Sequence, residues 1–440
     1  MNLVFEDLKF QLNLYNEDDK ILSGEDRVCV SPYANRVNIM RDRQHSLHQL
    51  DNKLIYENGI FEITKYSADD IPDGISYIIP VGVHESPQSW AGYKNVSSIF
   101  DLISPLYLKH LREGRAYIMF DSSLEGYHDD AFFEFAHSEC NRLKIPIKNI
   151  IWVSGNSIIE DRAFEWSNMT GKECIRVIGY SHFQYDITDN IDFFNAKRQY
   201  IPTWQDQFDY KTRNYELIKD YNFLNRKPRS HRIAFFNMLF HNGHLSNGLV
   251  SMNPWEGNKD CYIDGWYADP IQLEHSLEYT PLRWNGEDNI SNAQDKINRL
   301  NETAMLNSWF TVVSEARFDD SEGTIFLSEK TFKPIACCHP FVILGNKGSL
   351  KELRKLGFYT FDFLINETYD ELDNIERLEA IEKIINDFRH MDNHLEWFQW
   401  MRPRLEYNRL VLKFNSTMKP PPGFHILNEL CGTIIEKNLS

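Results

Sequence analysis

Ser328-Glu329-Lys330-Thr331 places a carboxylate and an ammonium group between two hydroxyls, ahead of the apolar run 341–344. The pattern predicts a helix over 331–338 running into a buried strand over 339–344. A helix start offers free N–H groups and a positive dipole end to an anion. There, Lys330 can neutralise a diphosphate, Glu329 can accept hydrogen bonds from two vicinal ribose hydroxyls, and Thr331 lies in the first turn. Ser328 is either a ligand contact or the N-cap. The same residues also read as a capped surface helix with solvated charges. A second constellation, Asn225-Arg226-Lys227-Pro228-Arg229-Ser230-His231-Arg232, gathers basic groups in a loop between a strand and a helix. Guanidinium forks grip phosphate oxygens in pairs. Arg226 and Lys227 are expected to face a diphosphate, with Asn225 opening the run and Arg232 structural. Contacts to nucleic-acid phosphates, or a solvated charged face, are the other readings. A third, Ser314-Glu315-Ala316-Arg317, follows an apolar run. Glu315 or Arg317 lines a nucleotide pocket, or Glu315 pairs with Arg317 or Lys330.

The segment 325–345 resembles the donor-binding signature of α-1,3-fucosyltransferases, in which a Thr/Ser-Glu-Lys triplet opens a helix that leads into an apolar strand. It is similar also to a group of glycosyltransferases encoded by large tailed phages. In that group a stretch like 328–345 is followed by residues matching Ser349-Leu350 and Leu356-Gly357-Phe358, and an Asn-Arg-x-Pro-Arg-x-His-Arg run matches 225–232. The first resemblance covers about a tenth of the chain and the second runs from about Tyr221 to Arg389. It implies a nucleoside-diphosphate-sugar donor, with Glu329 on the ribose and Lys330 on the phosphates. The fucosyltransferase resemblance implies inverting transfer; the acceptor is a glycan or, as the phage-type resemblance implies, a hydroxymethylated pyrimidine of phage DNA. In a duplex, such a base must be flipped out. Lys333 and Pro334 stand where fucosyltransferases carry an Asn, so fucose and guanine are not implied.

An inverting transfer needs a base for the acceptor hydroxyl, and its transition state is oxocarbenium-like with a departing diphosphate. Asp121 and Glu125, after a strand end, are the first candidates for that base; Glu85, His128, Asp129 and Asp130 are the reserves. Asp129-Asp130 and Asp319-Asp320 lack the spacing that aims two carboxylates at one ion, so metal-independent transfer without a cofactor is expected. Trp255, Trp266, Tyr267 and Trp284 either stack on a ligand or anchor their loop. A scaffold that binds nucleotide-sugar or glycan without transfer is the rival reading. A phosphate-loop kinase is weakened by the absence of G-x-x-x-x-G-K-[ST].

Alternating strands and helices must position these groups. Strands are expected at 28–30, 54–60, 75–83, 116–120, 149–153, 175–178, 221–224, 248–252, 310–313 and 339–344. Helices are expected at 129–143, 158–168, 233–240, 290–306, 331–338, 350–356, 375–388 and 393–412. In the helix over 129–143, Ala131, Phe132, Phe135, Ala136 and Cys140 share one face. Residues 184–220 read as a linker with some helix, and 253–290 as a long loop. Such alternation implies parallel sheets covered on both faces. The expected fold class is α/β: two Rossmann-like domains in a GT-B arrangement with long C-terminal helices. The domains are an acceptor side over 1–210, a donor side over 211–390, and a helical tail over 391–440.

The 440 residues carry 47 Lys and Arg against 64 Asp and Glu, a net charge of −17. That argues against non-specific coating of nucleic acid while leaving room for a local basic groove. Seven scattered cysteines without zinc or disulfide spacing point to reduced thiols in the cytoplasm, with Cys337-Cys338 packed in a helix. Neither a signal peptide nor a membrane span is expected, because the N-terminus lacks a basic and apolar leader and the apolar runs are short.

Overall fold

The computed structural model describes residues 2–6, 62–66, 76–82, 98–103, 105–123, 126, 130–184, 187, 200–255, 276–282, 300–318 and 323–418. They fall into two compact units, one up to His182 with Gly323 and Thr324, the other from Phe183 to Phe318 and from Ile325 to Met418. Each unit is α/β and built on a parallel sheet, the fold class that the alternation implies. The division lies earlier than residue 210. The described tail residues, 391–418, belong to the second unit.

In the first unit the strands are β1 (Asn2–Glu6), β2 (Glu62–Tyr66), β3 (Tyr77–Gly82), β4 (Ala116–Ser122), β5 (Ile150–Ser154) and β6 (Arg176–Gly179). They pair in the order β2-β1-β3-β4-β5-β6, all parallel. Helices α1 (Pro105–Arg112), α2 (Asp130–Leu143) and α3 (Ile159–Thr170) cross between strands. The core forms where α2 and α3 meet the sheet. Trp152 lies 4.8 Å from Phe132 and 5.9 Å from Phe133, both edge to face. Its indole N–H donates to Ser122 Oγ at 2.7 Å, so the one polar atom of the ring is satisfied. The buried face of α2 is Phe132, Phe133, Ala136, Cys140 and Leu143. Ala131 is exposed and Phe135 only partly covered, because the face is rotated toward Phe133, which also meets Trp166 at 5.7 Å.

In the second unit the strands are β7 (Lys219–Leu224), β8 (Gly248–Ser251), β9 (Ser308–Ser314) and β10 (Phe341–Leu344), ordered β10-β9-β7-β8 and all parallel. The helices are α4 (Trp204–Arg213), α5 (Ser230–His241), α6 (Glu302–Leu306), α7 (Glu329–Ala336), α8 (Ser349–Lys355), α9 (Asn374–Arg389) and α10 (His394–Met418). From β7 the chain crosses to β8 on one side, and later to β9 and β10 on the other. The switch in direction therefore lies between β7 and β9, and a parallel α/β sheet opens a ligand crevice at the carboxyl ends of such a strand pair. Gly248 is required by packing: a Cβ there would sit 2.4 Å from Cζ of Tyr221, whose hydroxyl donates to His244 O at 3.1 Å.

Three expectations need correction. Residues 204–213 are an integrated helix rather than linker: α4 opens on a capping box between Thr203 and Asp206. Its Trp204 stacks on Phe398 of α10 at 5.9 Å. A continuous helix over 290–306 does not form. Asn301 at φ 55° precedes α6, and residues 290–299 lie outside the described residues. The Cys337-Cys338 pair sits in the turn closing α7, with Cys338 at φ 52°; both are buried. The expected strands at 28–30 and 54–60 lie outside the described residues, as do Trp266, Tyr267 and Trp284.

Candidate functional site

The end of β9 is the hub. Glu315, the first residue past the strand, is fully buried. Its Oε1 accepts from Ser328 N at 2.9 Å and from Thr331 Oγ1 at 2.6 Å. Its Oε2 accepts from Ser328 Oγ at 2.5 Å and from its neighbour Ala316 N at 3.3 Å. One carboxylate thus fixes the start of α7 from beneath. Ser328 is also the N-cap, its Oγ accepting from Lys330 N at 3.4 Å. Glu315, Ser328 and Thr331 therefore spend their polar atoms on one another, and Glu315 pairs with neither Arg317 nor Lys330. These three shape the helix start; the groups it presents are Glu329 and Lys330.

Glu329 and Lys330 form an ion pair, Nζ to Oε1 at 2.7 Å, and Nζ also donates to Ser328 Oγ at 3.1 Å. Burial pushes the Glu329 carboxyl up, but the ammonium groups of Lys330 and Lys333, with hydrogen bonds from Lys330 and its own N–H, outweigh that and hold its pKa at about 2. Glu329 is thus ionised at neutral pH and can only accept hydrogen bonds, which suits hydroxyls and excludes it as an acid.

The basic loop reaches the same hub from the other side. Arg232 is buried and donates Nη2 to Ser314 O at 3.0 Å and to Glu315 O at 2.9 Å, Nε to Ser314 Oγ at 3.0 Å, and Nη1 to Lys227 O at 3.1 Å. Arg229 Nη1 donates to Ala316 O. His231 Nε2 donates to Glu315 O at 3.0 Å. Its pKa is pushed well down by burial and then by the charges of Arg232 and Arg229, so the ring is neutral. The carbonyls of 314–316 thus take up Arg229, His231 and Arg232, while Arg226 and Lys227 are the exposed cations of the loop. The structural reading of Arg232 agrees with this geometry. The two constellations are close enough to act on each other: the charge of Glu329 raises the Arg232 pKa, and that of Lys330 lowers that of His231.

Asn225, the first residue past β7, is held by its N–H donating to Ser251 O at 3.0 Å. Asn253 Nδ2 donates to Arg226 O at 2.8 Å and ties the loop to the end of β8. Glu315 and Asn225 therefore follow the two strands that flank the switch point.

Sequence reasoning missed Arg377 of α9. This buried guanidinium donates to Gly345 O at 2.6 Å and Leu372 O at 2.8 Å, and lies 4.7 Å from the ring of Phe318. His231 stacks on that same ring at 5.2 Å. A signal existed: Arg377 falls on the stripe that Ile381, Ile385 and Phe388 bury, where an arginine needs internal acceptors. Close approach also explains Gly345, where a Cβ would stand 3.3 Å from Cβ of Glu315 and 3.2 Å from Ser349 Oγ.

In the first unit, Asp121 lies in β4, level with Gly82 at the carboxyl end of β3; its side chain lies outside the description. Glu125, Glu85, His128 and Asp129 lie outside the described residues. Asp130 opens α2 and pairs with Arg162 at 2.6 Å, a structural use. Trp255 is buried and packs on Phe236 at 6.2 Å, the anchoring use of that ring. Among the described residues no cluster of His, Cys, Asp and Glu could hold a metal ion, and no helix is long and apolar enough to cross a membrane.

No known protein family and no curated protein sequence matches the chain. Among solved structures, a trehalose 6-phosphate synthase from Burkholderia multivorans is 11% identical, with 82% of this chain and 71% of that one covered at a TM-score of 0.42. A T4 phage BGT mutant in complex with UDP-glucose is 11% identical, with 100% and 97% covered at 0.34. The trehalose-6-phosphate synthase OtsA is 11% identical, with 78% and 79% covered at 0.35.

Proposed function

We propose that the chain is a glycosyltransferase that moves a sugar from a nucleoside-diphosphate sugar to an acceptor hydroxyl. The observation that carries this reading is the meeting of two ligand-type segments on the end of β9. One presents an ionised carboxylate and an ammonium group, the other two exposed cations, both at the switch point of a parallel sheet. Glu329 accepts from the ribose hydroxyls. Lys330, Arg226 and Lys227 hold the diphosphate and take up its charge as it leaves.

In this account the acceptor oxygen attacks C1 of the donor sugar as a base removes its proton. The C1–O bond to the diphosphate breaks with inversion. The base is assigned to Asp121 or Glu125. The cations at the phosphates do the work of a metal ion, so transfer is metal-independent. The proposed acceptor is a hydroxymethylated pyrimidine in phage DNA, with transfer in the host cytoplasm; a glycan is the alternative acceptor. Incubation with a panel of nucleotide sugars, against hydroxymethylated DNA and against oligosaccharides, tests this by release of nucleoside diphosphate. Release that needs one acceptor, survives a chelator and gives a product of inverted anomeric configuration is expected. Donor binding with no release on any acceptor would favour a binding module instead.

A further inference from the structure

Asn225 is 5% exposed, and neither Nδ2 nor Oδ1 of its side chain has a hydrogen-bond partner. Leaving a buried amide unpaired costs about 1–3 kcal/mol, and folded proteins keep few such groups. Its place makes the cost informative. The residue is pinned by its own N–H on Ser251, it follows β7 at the switch point, and Arg226 and Lys227 come next in the chain. We infer that the Asn225 side chain recognises the ligand and reads a group that both donates and accepts a hydrogen bond, a sugar hydroxyl or a nucleobase N–H/C=O edge, rather than a phosphate. Phosphate oxygens only accept; they would satisfy Nδ2 and leave Oδ1 buried and unpaired. A hydroxyl or lactam edge satisfies both ends of the amide.

This inference rests on the nucleotide-sugar reading and deepens it: the basic pair holds charge, while Asn225 selects the neutral part of the same ligand. A site built to pair a ligand O–H or N–H discriminates strongly, because the unpaired state is costly.

The test compares wild type with Asn225→Leu, which keeps the branched shape, and Asn225→Ala. Without ligand, Asn225→Leu should melt at or above the wild-type temperature, since an unpaired amide is replaced by an apolar group. For the nucleotide sugar that stabilises wild type, both variants should bind about ten- to a hundredfold more weakly, while inorganic pyrophosphate should bind as before. Weakening of the free nucleoside diphosphate as well assigns the group to the nucleoside; weakening of the nucleotide sugar alone assigns it to the transferred sugar. Lower stability of Asn225→Leu without ligand, unchanged nucleotide-sugar affinity, or an equal loss for pyrophosphate would each overturn the inference and leave the glycosyltransferase reading standing. A wild type that binds no nucleotide sugar overturns both.

Discussion

Glu315 and Glu329 are both buried carboxylates, and their partners give them different parts. Glu315 accepts only from the chain, from Ser328, Thr331 and Ala316. Glu315→Gln turns an acceptor into a donor facing hydroxyl or N–H groups. It should cost about 2–3 kcal/mol in chemical denaturation and weaken donor binding indirectly. Glu329 instead is held ionised by Lys330 beside it and by the buried Lys333 further along the helix. Its folded pKa of about 2 lies below the usual 4.5, so between those values the unfolded chain binds more protons. Its contribution is therefore complete above about pH 5 and lost as pH falls through about 2. Glu329→Gln should flatten the acid limb of the stability–pH curve; an unchanged slope would show that the lysines do not hold this carboxylate. The sequence showed that Glu315, Glu329 and Lys330 belong to one neighbourhood. It did not show which carboxylate turns inward, because that depends on the close approach of 328–331 to the end of β9, set by tertiary packing.

At the scale of elements, strands buried on both faces were legible as apolar runs. β4, β5, β9 and β10 lie within two residues of the expected bounds. Helix α4 was obscured because, of its buried positions Trp204, Gln207 and Lys211, two are polar residues whose partners come from elsewhere in the unit. Gln207 donates to Cys338 O at 3.1 Å, and Lys211 to Met305 O and Ser308 O, both at 2.7 Å. Only the Thr203/Asp206 box announced the helix locally. Thr203→Ala should cost about 1 kcal/mol through loss of that cap, read from urea unfolding. Gly248→Ala should cost about 1–3 kcal/mol, since the buried Tyr221 ring must move.

For the whole molecule, net charge and local charge point in opposite directions. The chain carries −17 overall, yet the end of the second sheet displays Arg226, Lys227 and Lys330. A phosphate ligand drawn by these few cations should bind more weakly as salt screens them, by roughly three- to tenfold between low and high ionic strength; salt-independent binding would argue against a phosphate contact. The two-unit α/β organisation was legible because each sheet is parallel and its strands alternate with helices. The boundary at residue 182 was not, because α4 joins the second unit through the lone ring of Trp204 together with the buried polar residues Gln207 and Lys211, a set that leaves no apolar periodicity. The end of β9 is proposed to carry a nucleotide-sugar site. The direct measurement is thermal stabilisation by a panel of nucleotide sugars and nucleoside diphosphates, in wild type and in the double variant Glu329→Ala/Lys330→Ala. A ligand that binds only the folded state must raise the melting temperature. A clear shift with one nucleotide that is lost in the folded double variant is expected. No shift with any nucleotide in wild type, or a shift that survives the double substitution, would contradict it.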